Sequence, residues 1–115
     1  MAYDQYLGER IERIMQERNA DFYTKKMMGG LIFMVADKMC CGTHIDKKSG
    51  QSLLMARIGV EAYAKEINRD HTLPMDFTGR PMKGYIFIEP DGFDLDSDLE
   101  HWVDLCLFFN HHLLS

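Results

Sequence analysis

The sequence predicts an α+β fold, a two-layer sandwich in which one antiparallel sheet carries helices on one face, built as a single domain over residues 1–115. Three observations predict it. Helical periodicity is confined to the two ends and one short internal segment. The runs between are rich in β-branched and aromatic residues, bounded by glycine- and aspartate-containing turns. Several of those turns are too short for parallel crossovers, so successive strands must run antiparallel. The expected order is helix, three strands, one strand, short helix, two strands, final helix. A chain of 115 residues suits one domain and buries enough surface to need no staple.

Each element has its own signature. Residues 4–18 read as a helix because Leu7, Ile11, Ile14 and Met15 recur at helical spacing, with Asp4 as cap and Asn19 as stop. Phe22-Tyr23-Thr24, Leu31 to Val35 and Met39 to Thr43 read as a meander, turned by Gly29-Gly30 and by Ala36-Asp37-Lys38. A polar loop over 46–52 leads to a strand at Leu53 to Ile58, ended by Gly59. Val60, Tyr63, Ala64 and Ile67 give a helix of about two turns, and 68–74 reads as a connection. Met75 to Phe77 and Tyr85 to Ile88 flank a bend whose path is set by Gly79, Pro81 and Gly84. In the last helix Ser97 and Glu100 make a capping box, and Leu99, Trp102, Val103, Cys106, Phe109 and Leu113 share one broad face.

Charge and cysteine usage narrow the function. The net charge of −5 and pI near 5.4 argue against a dedicated nucleic-acid binder. The N-terminus lacks a basic region followed by an apolar run, so no signal peptide is expected, and no apolar run is long enough to cross a bilayer. Three cysteines without framework spacing suggest reduced thiols and a cytoplasmic location. Cys40 and Cys41 are adjacent on a strand, which sends their side chains to opposite faces and reads as inert packing rather than metal or redox chemistry. His44 and His71 read as isolated residues in or beside loops. No metal, cofactor or nucleotide fingerprint is found, and no catalytic set.

The segments Lys25-Lys26-Met27-Met28-Gly29-Gly30, Met39-Cys40-Cys41-Gly42 and above all Pro74-Met75-Asp76-Phe77-Thr78-Gly79-Arg80-Pro81-Met82-Lys83-Gly84-Tyr85 resemble the TfoX/Sxy N-terminal domain family, named for regulators of natural competence. The family usually carries an aromatic residue where Met28 stands. The resemblance covers nearly the whole chain and implies the same α+β fold. Family members often carry a C-terminal helical domain that binds nucleic acid. This chain ends just after its last helix, so the resemblance implies a stand-alone regulatory or adaptor domain.

Three functional readings follow. The leading one is a non-enzymatic protein-interaction module, with an unknown protein partner or a second copy. It rests on Leu105 and Phe108, apolar residues on the last helix turned away from the core face and flanked by His101 and His112. The second is a nucleic-acid-associated regulator using Lys25, Lys26, Arg57, Arg80 and Lys83 as a local basic patch. The third is a small ligand-binding protein or enzyme at the central bend, with Arg80 and Lys83 clamping an anion and Asp76 as a base.

Overall fold

The computed structural model describes residues 4–27, 29–75 and 82–113. Six strands form one antiparallel sheet: β1 (Phe22–Met27), β2 (Gly30–Val35), β3 (Lys38–Ile45), β4 (Ser52–Arg57), β5 (Thr72–Pro74) and β6 (Tyr85–Ile88). Their spatial order is β1-β2-β3-β4-β6-β5, so β1 and β5 are the two edges. Three helices, α1 (Gln5–Glu17), α2 (Gly59–Glu66) and α3 (Asp96–Leu113), pack on the sheet.

The alternation of side chains along each strand divides the sheet into two apolar faces. Phe33, Leu54, Ala56, Ile86 and Ile88 join Leu7, Ile11 and Met15 of α1 and Leu99, Trp102, Val103 and Cys106 of α3 in the main core. Ile32, Met34, Leu53, Met55 and Phe87 form a second cluster on the reverse face, where Met75 joins them. The helices therefore lie on one face, as expected, and the reverse face is buried rather than solvated: Ile32 and Met55 are fully covered.

The helix and turn chemistry matches the sequence in several places. The Asp4 carboxylate accepts from the Leu7 amide at 3.1 Å, and its second oxygen accepts from the Ser52 hydroxyl at 2.9 Å, which docks the start of α1 on β4. Asn19 ends α1 in the left-handed region at φ 56°. Ala36 and Asp37 both take positive φ (54° and 62°), the conformation of a two-residue hairpin between β2 and β3.

Elsewhere the structure departs from expectation. The segment read as a connection over 68–74 contains β5, which pairs with β6 through Thr72–Ile88, Leu73–Phe87 and Pro74–Ile86. Pro74 is tolerated because β5 is an edge strand and needs no outward amide. The proposed strand at Met75 to Phe77 begins with a buried Met75, but its remainder, with Gly79 and Pro81, lies outside the described residues. The capping box is not formed. α3 starts at Asp96, so Ser97 falls inside its first turn, and the Leu95 carbonyl accepts from the Asp98 and Leu99 amides, each at 3.0 Å. His44 lies within β3, one residue before the loop that follows Ile45, and is nearly buried, with its ring stacked on Phe87 at 5.2 Å.

Two polar side chains hold the helices in place. Arg10 of α1 is buried and donates to the carbonyls of Phe93 and Asp94, both at 3.0 Å, and to Asp96 at 3.2 Å. Asn110 of α3 is buried and donates to the Val35 carbonyl at 3.1 Å. On the surface, Arg18 forks onto Asp104 and Glu100, and these neighbours hold its guanidinium firmly in the charged form.

Candidate functional site

A groove of about 460 Å³ lies between α2 and α3. Its floor is Ile58, Gly59 and Ala62, its far wall Leu105 and Phe109, and its rim Phe108 and His112. The path of α2 fixes the floor. Gly59 opens that helix at φ 86°, and a Cβ there would sit 2.4 Å from the Phe109 ring, so only glycine permits this approach. The Gly84 carbonyl accepts from the Ile58 and Gly59 amides at 2.8 and 3.1 Å, tying the start of α2 to the segment before β6.

The groove is mostly apolar, with Glu61, Lys65 and His112 also in its lining and a paired polar cluster at one end. His101 Nε2 meets Glu66 Oε1 at 2.5 Å, and Arg69 Nη1 reaches the same carboxylate oxygen at 3.1 Å. Burial pushes the Glu66 carboxyl up, but the hydrogen bonds and charges of His101 and Arg69 outweigh it and leave its pKa below the ordinary value. The arrangement joins the end of α2 to the first half of α3. It fixes the separation of the two helices at that end, and the close approach of Gly59 to Phe109 fixes it at the other.

Both residues predicted for self-association lie on this groove. Leu105 is half-buried in its wall, and Phe108 stands at the rim with 65% of its surface exposed. The Phe108 ring packs against His112 of its own helix at 4.3 Å, and His112 Nδ1 lies 3.0 Å from the Phe108 carbonyl oxygen. Val60, at 59% exposed, faces the same opening from α2.

The predicted cationic residues that are described are spread over β1, β4 and the turn before β6. Lys25 and Lys26 follow one another along β1, paired with Ile32 and Leu31, so they stand on opposite faces of the sheet. Lys25 lies 5.9 Å from the centre of the Tyr23 ring. The Arg57 guanidinium carbon lies over Tyr85 and Phe109, 5.3 and 5.5 Å from the ring centres. Lys83 is exposed in the turn before β6, and Asp76 and Arg80 lie outside the described residues.

The cysteines correct the sequence reading most directly. Between β2 and β3 the register shifts: Phe33 pairs with Cys41, but Met34 pairs with Met39. Cys40 is the extra residue of a β-bulge. The bulge cancels the alternation, and Cys40 and Cys41 both turn into the main core, where Cys106 of α3 meets them. The three thiols hydrogen-bond to one another. Those bonds from Cys106 and Cys41 favour the Cys40 thiolate and lower its pKa. The same contact with Cys106 pushes Cys41 up, and burial pushes Cys106 up.

Among the described residues no group of His, Cys, Asp and Glu is arranged to hold a metal ion, and no helix is long and apolar enough to cross a membrane. No protein-family model matches the chain, and no curated protein is significantly similar to it.

Proposed function

We propose that the chain is a cytoplasmic, non-enzymatic regulatory domain of the TfoX N-terminal type, and that it works by protein interaction through the α2–α3 groove. The occupant is a second copy of the same chain. The observation that carries this reading is the adjacency of a knob and a hole on one surface. Phe108 projects beside an apolar groove of about 460 Å³ lined by Ile58, Val60, Ala62 and Leu105. A two-fold contact uses the same patch on both partners, so each Phe108 ring enters the groove of the other copy. The groove's polar end is internally paired through Glu66, His101 and Arg69, which leaves the apolar end as the surface to cover.

Chemistry supports the same reading. Among the residues lining the groove no serine, threonine or cysteine stands beside the His101–Glu66 pair. The resemblance carried by residues 25–30, 39–42 and 74–85 supports a regulatory or adaptor role.

Sedimentation equilibrium of the chain tests the proposal. A monomer–dimer equilibrium is expected, with amide exchange slowed along α2 and the second half of α3 as dimer forms. A chain that stays monomeric at about 1 mM, corresponding to less than about 4 kcal/mol of association, overturns it.

A further inference from the structure

The cluster of three thiols has no part in the groove's proposed role. Cys40, Cys41 and Cys106 come from two elements, are 1%, 0% and 0% exposed, and touch one another in an otherwise apolar core. A bulge is what brings the second thiol of the adjacent pair inward; regular β3 would have placed only one of them there. We infer that Cys40 and Cys106 form an oxidation site, closing into a disulfide that ties β3 to α3 when hydrogen peroxide reaches the cluster, with Cys41 left as the third thiol.

Geometry selects the pair. Cys40 and Cys41 are neighbours in the chain, with Cα atoms about 3.8 Å apart across a trans peptide, less than the roughly 4.4 Å that an ordinary disulfide needs. Cys106 must therefore be one partner. Cys40 is the other because it sits unpaired in the bulge, free to adjust without breaking ladder pairs, whereas Cys41 is held opposite both Phe33 and Ala56. Cys40 is also the thiol whose ionised form is favoured, by hydrogen bonds from its two neighbours and by the nearby charge of Arg57, and the thiolate is the nucleophile.

The chemistry balances with the peroxide as oxidant. The Cys40 thiolate attacks one peroxide oxygen, the O–O bond breaks, and hydroxide leaves and takes up the proton that Cys40 released. Cys40 is now a sulfenic acid. The Cys106 sulfur attacks the Cys40 sulfur, the S–S bond forms, and the S–O bond breaks. Its hydroxyl departs as water with the proton of Cys106. Two thiols are oxidised, one peroxide is reduced, and two waters are made. Because the thiols are already in contact, closure needs no unfolding, only an opening large enough for a molecule close to water in size.

The test is exposure of the folded chain to hydrogen peroxide, then alkylation in denaturant and mass mapping without reductant. The expected result is that two of the three free thiols disappear within one chain, in a cross-linked peptide pair containing Cys106, and return with dithiothreitol. Cys41→Ser should keep the cross-link and Cys40→Ser should lose it. The inference is overturned if all three thiols still alkylate after a dose that fully oxidises free glutathione, if the link forms only between chains, or if Cys41→Ser abolishes it. Mapping the native chain decides the matter even where a buried substitution prevents folding.

Discussion

Replacing Phe108 by alanine should weaken self-association far more than it weakens the fold. Phe108 is 65% exposed, and a phenylalanine presents about 200 Å², so roughly 130 Å² of its ring is available to a partner. At about 25 cal/mol per Å², full burial of that area contributes about 3 kcal/mol. A two-fold interface uses the ring twice, which makes about 6 kcal/mol, or about four decades in Kd. Burial of half the area would still give about a hundredfold. Within the monomer the covered part of the ring rests on His112, so the loss of folding stability is limited to about 2 kcal/mol. Sedimentation equilibrium gives the Kd, and urea denaturation at a concentration where both chains are monomeric gives the stability. A folded Phe108→Ala chain that dimerises within about threefold of the parent would refute the knob-and-groove reasoning, because no two-fold contact centred on that ring is so indifferent to it.

Other expectations concern the frame around the groove. Gly30→Ala should cost more than about 3 kcal/mol, since its Cβ would lie 1.6 Å from the Thr43 carbonyl oxygen on β3 and two paired strands would have to separate; the urea midpoint reads this. Arg10→Ala should cost roughly 1–3 kcal/mol by the same measurement, because it leaves the buried Phe93 carbonyl without its donor. Glu66 has a pKa below its ordinary value of 4.5 in the fold, so its contribution is present above that pH and is lost as pH falls through the folded value. Stability should therefore decline less steeply below about pH 4.5 in Glu66→Gln than in the parent, as followed by thermal melts across acid pH; equal slopes would show that the His101 and Arg69 contacts do not hold in solution.

What was legible in the sequence was whatever a local period could report. The stripe Leu7, Ile11, Ile14, Met15 and the stripe Leu99, Trp102, Val103, Cys106 each bury one helix face, and both are buried in the core. Phe108 was legible for the opposite reason, as a large ring that breaks the pattern of its helix, and it is exposed. The failures come from devices that local periods cannot encode. A bulge at Cys40 shifts the count by one residue and reverses a side chain. β5 is three residues long and carries a proline, too short to show alternation, and exists because β6 offers it a free edge. The Glu66–His101 pair joins residues 35 apart in the chain. Neither residue has a local pattern that announces the other.

The groove itself illustrates why a site is harder to read than a fold. In the sequence Gly59 marks the end of a strand and Gly84 belongs to a bend 25 residues later. In the structure they touch, both at positive φ (86° and 90°), and a Cβ on Gly84 would lie 3.3 Å from the Gly59 backbone. Their contact lets the Gly84 carbonyl take both amides at the start of α2, which sets how that helix leaves the sheet and how close it comes to Phe109. A glycine just before β6 thus shapes the floor beneath Phe108. A side chain at Gly59 would tilt α2 away from α3 and change the width of the groove while leaving the six-stranded sheet intact. For that reason Gly59→Ala separates the two layers of the argument: it should alter association with little change in the amide exchange of β2, β3 and β4, whereas a loss of protection throughout those strands would mean that the groove and the sheet are one cooperative unit.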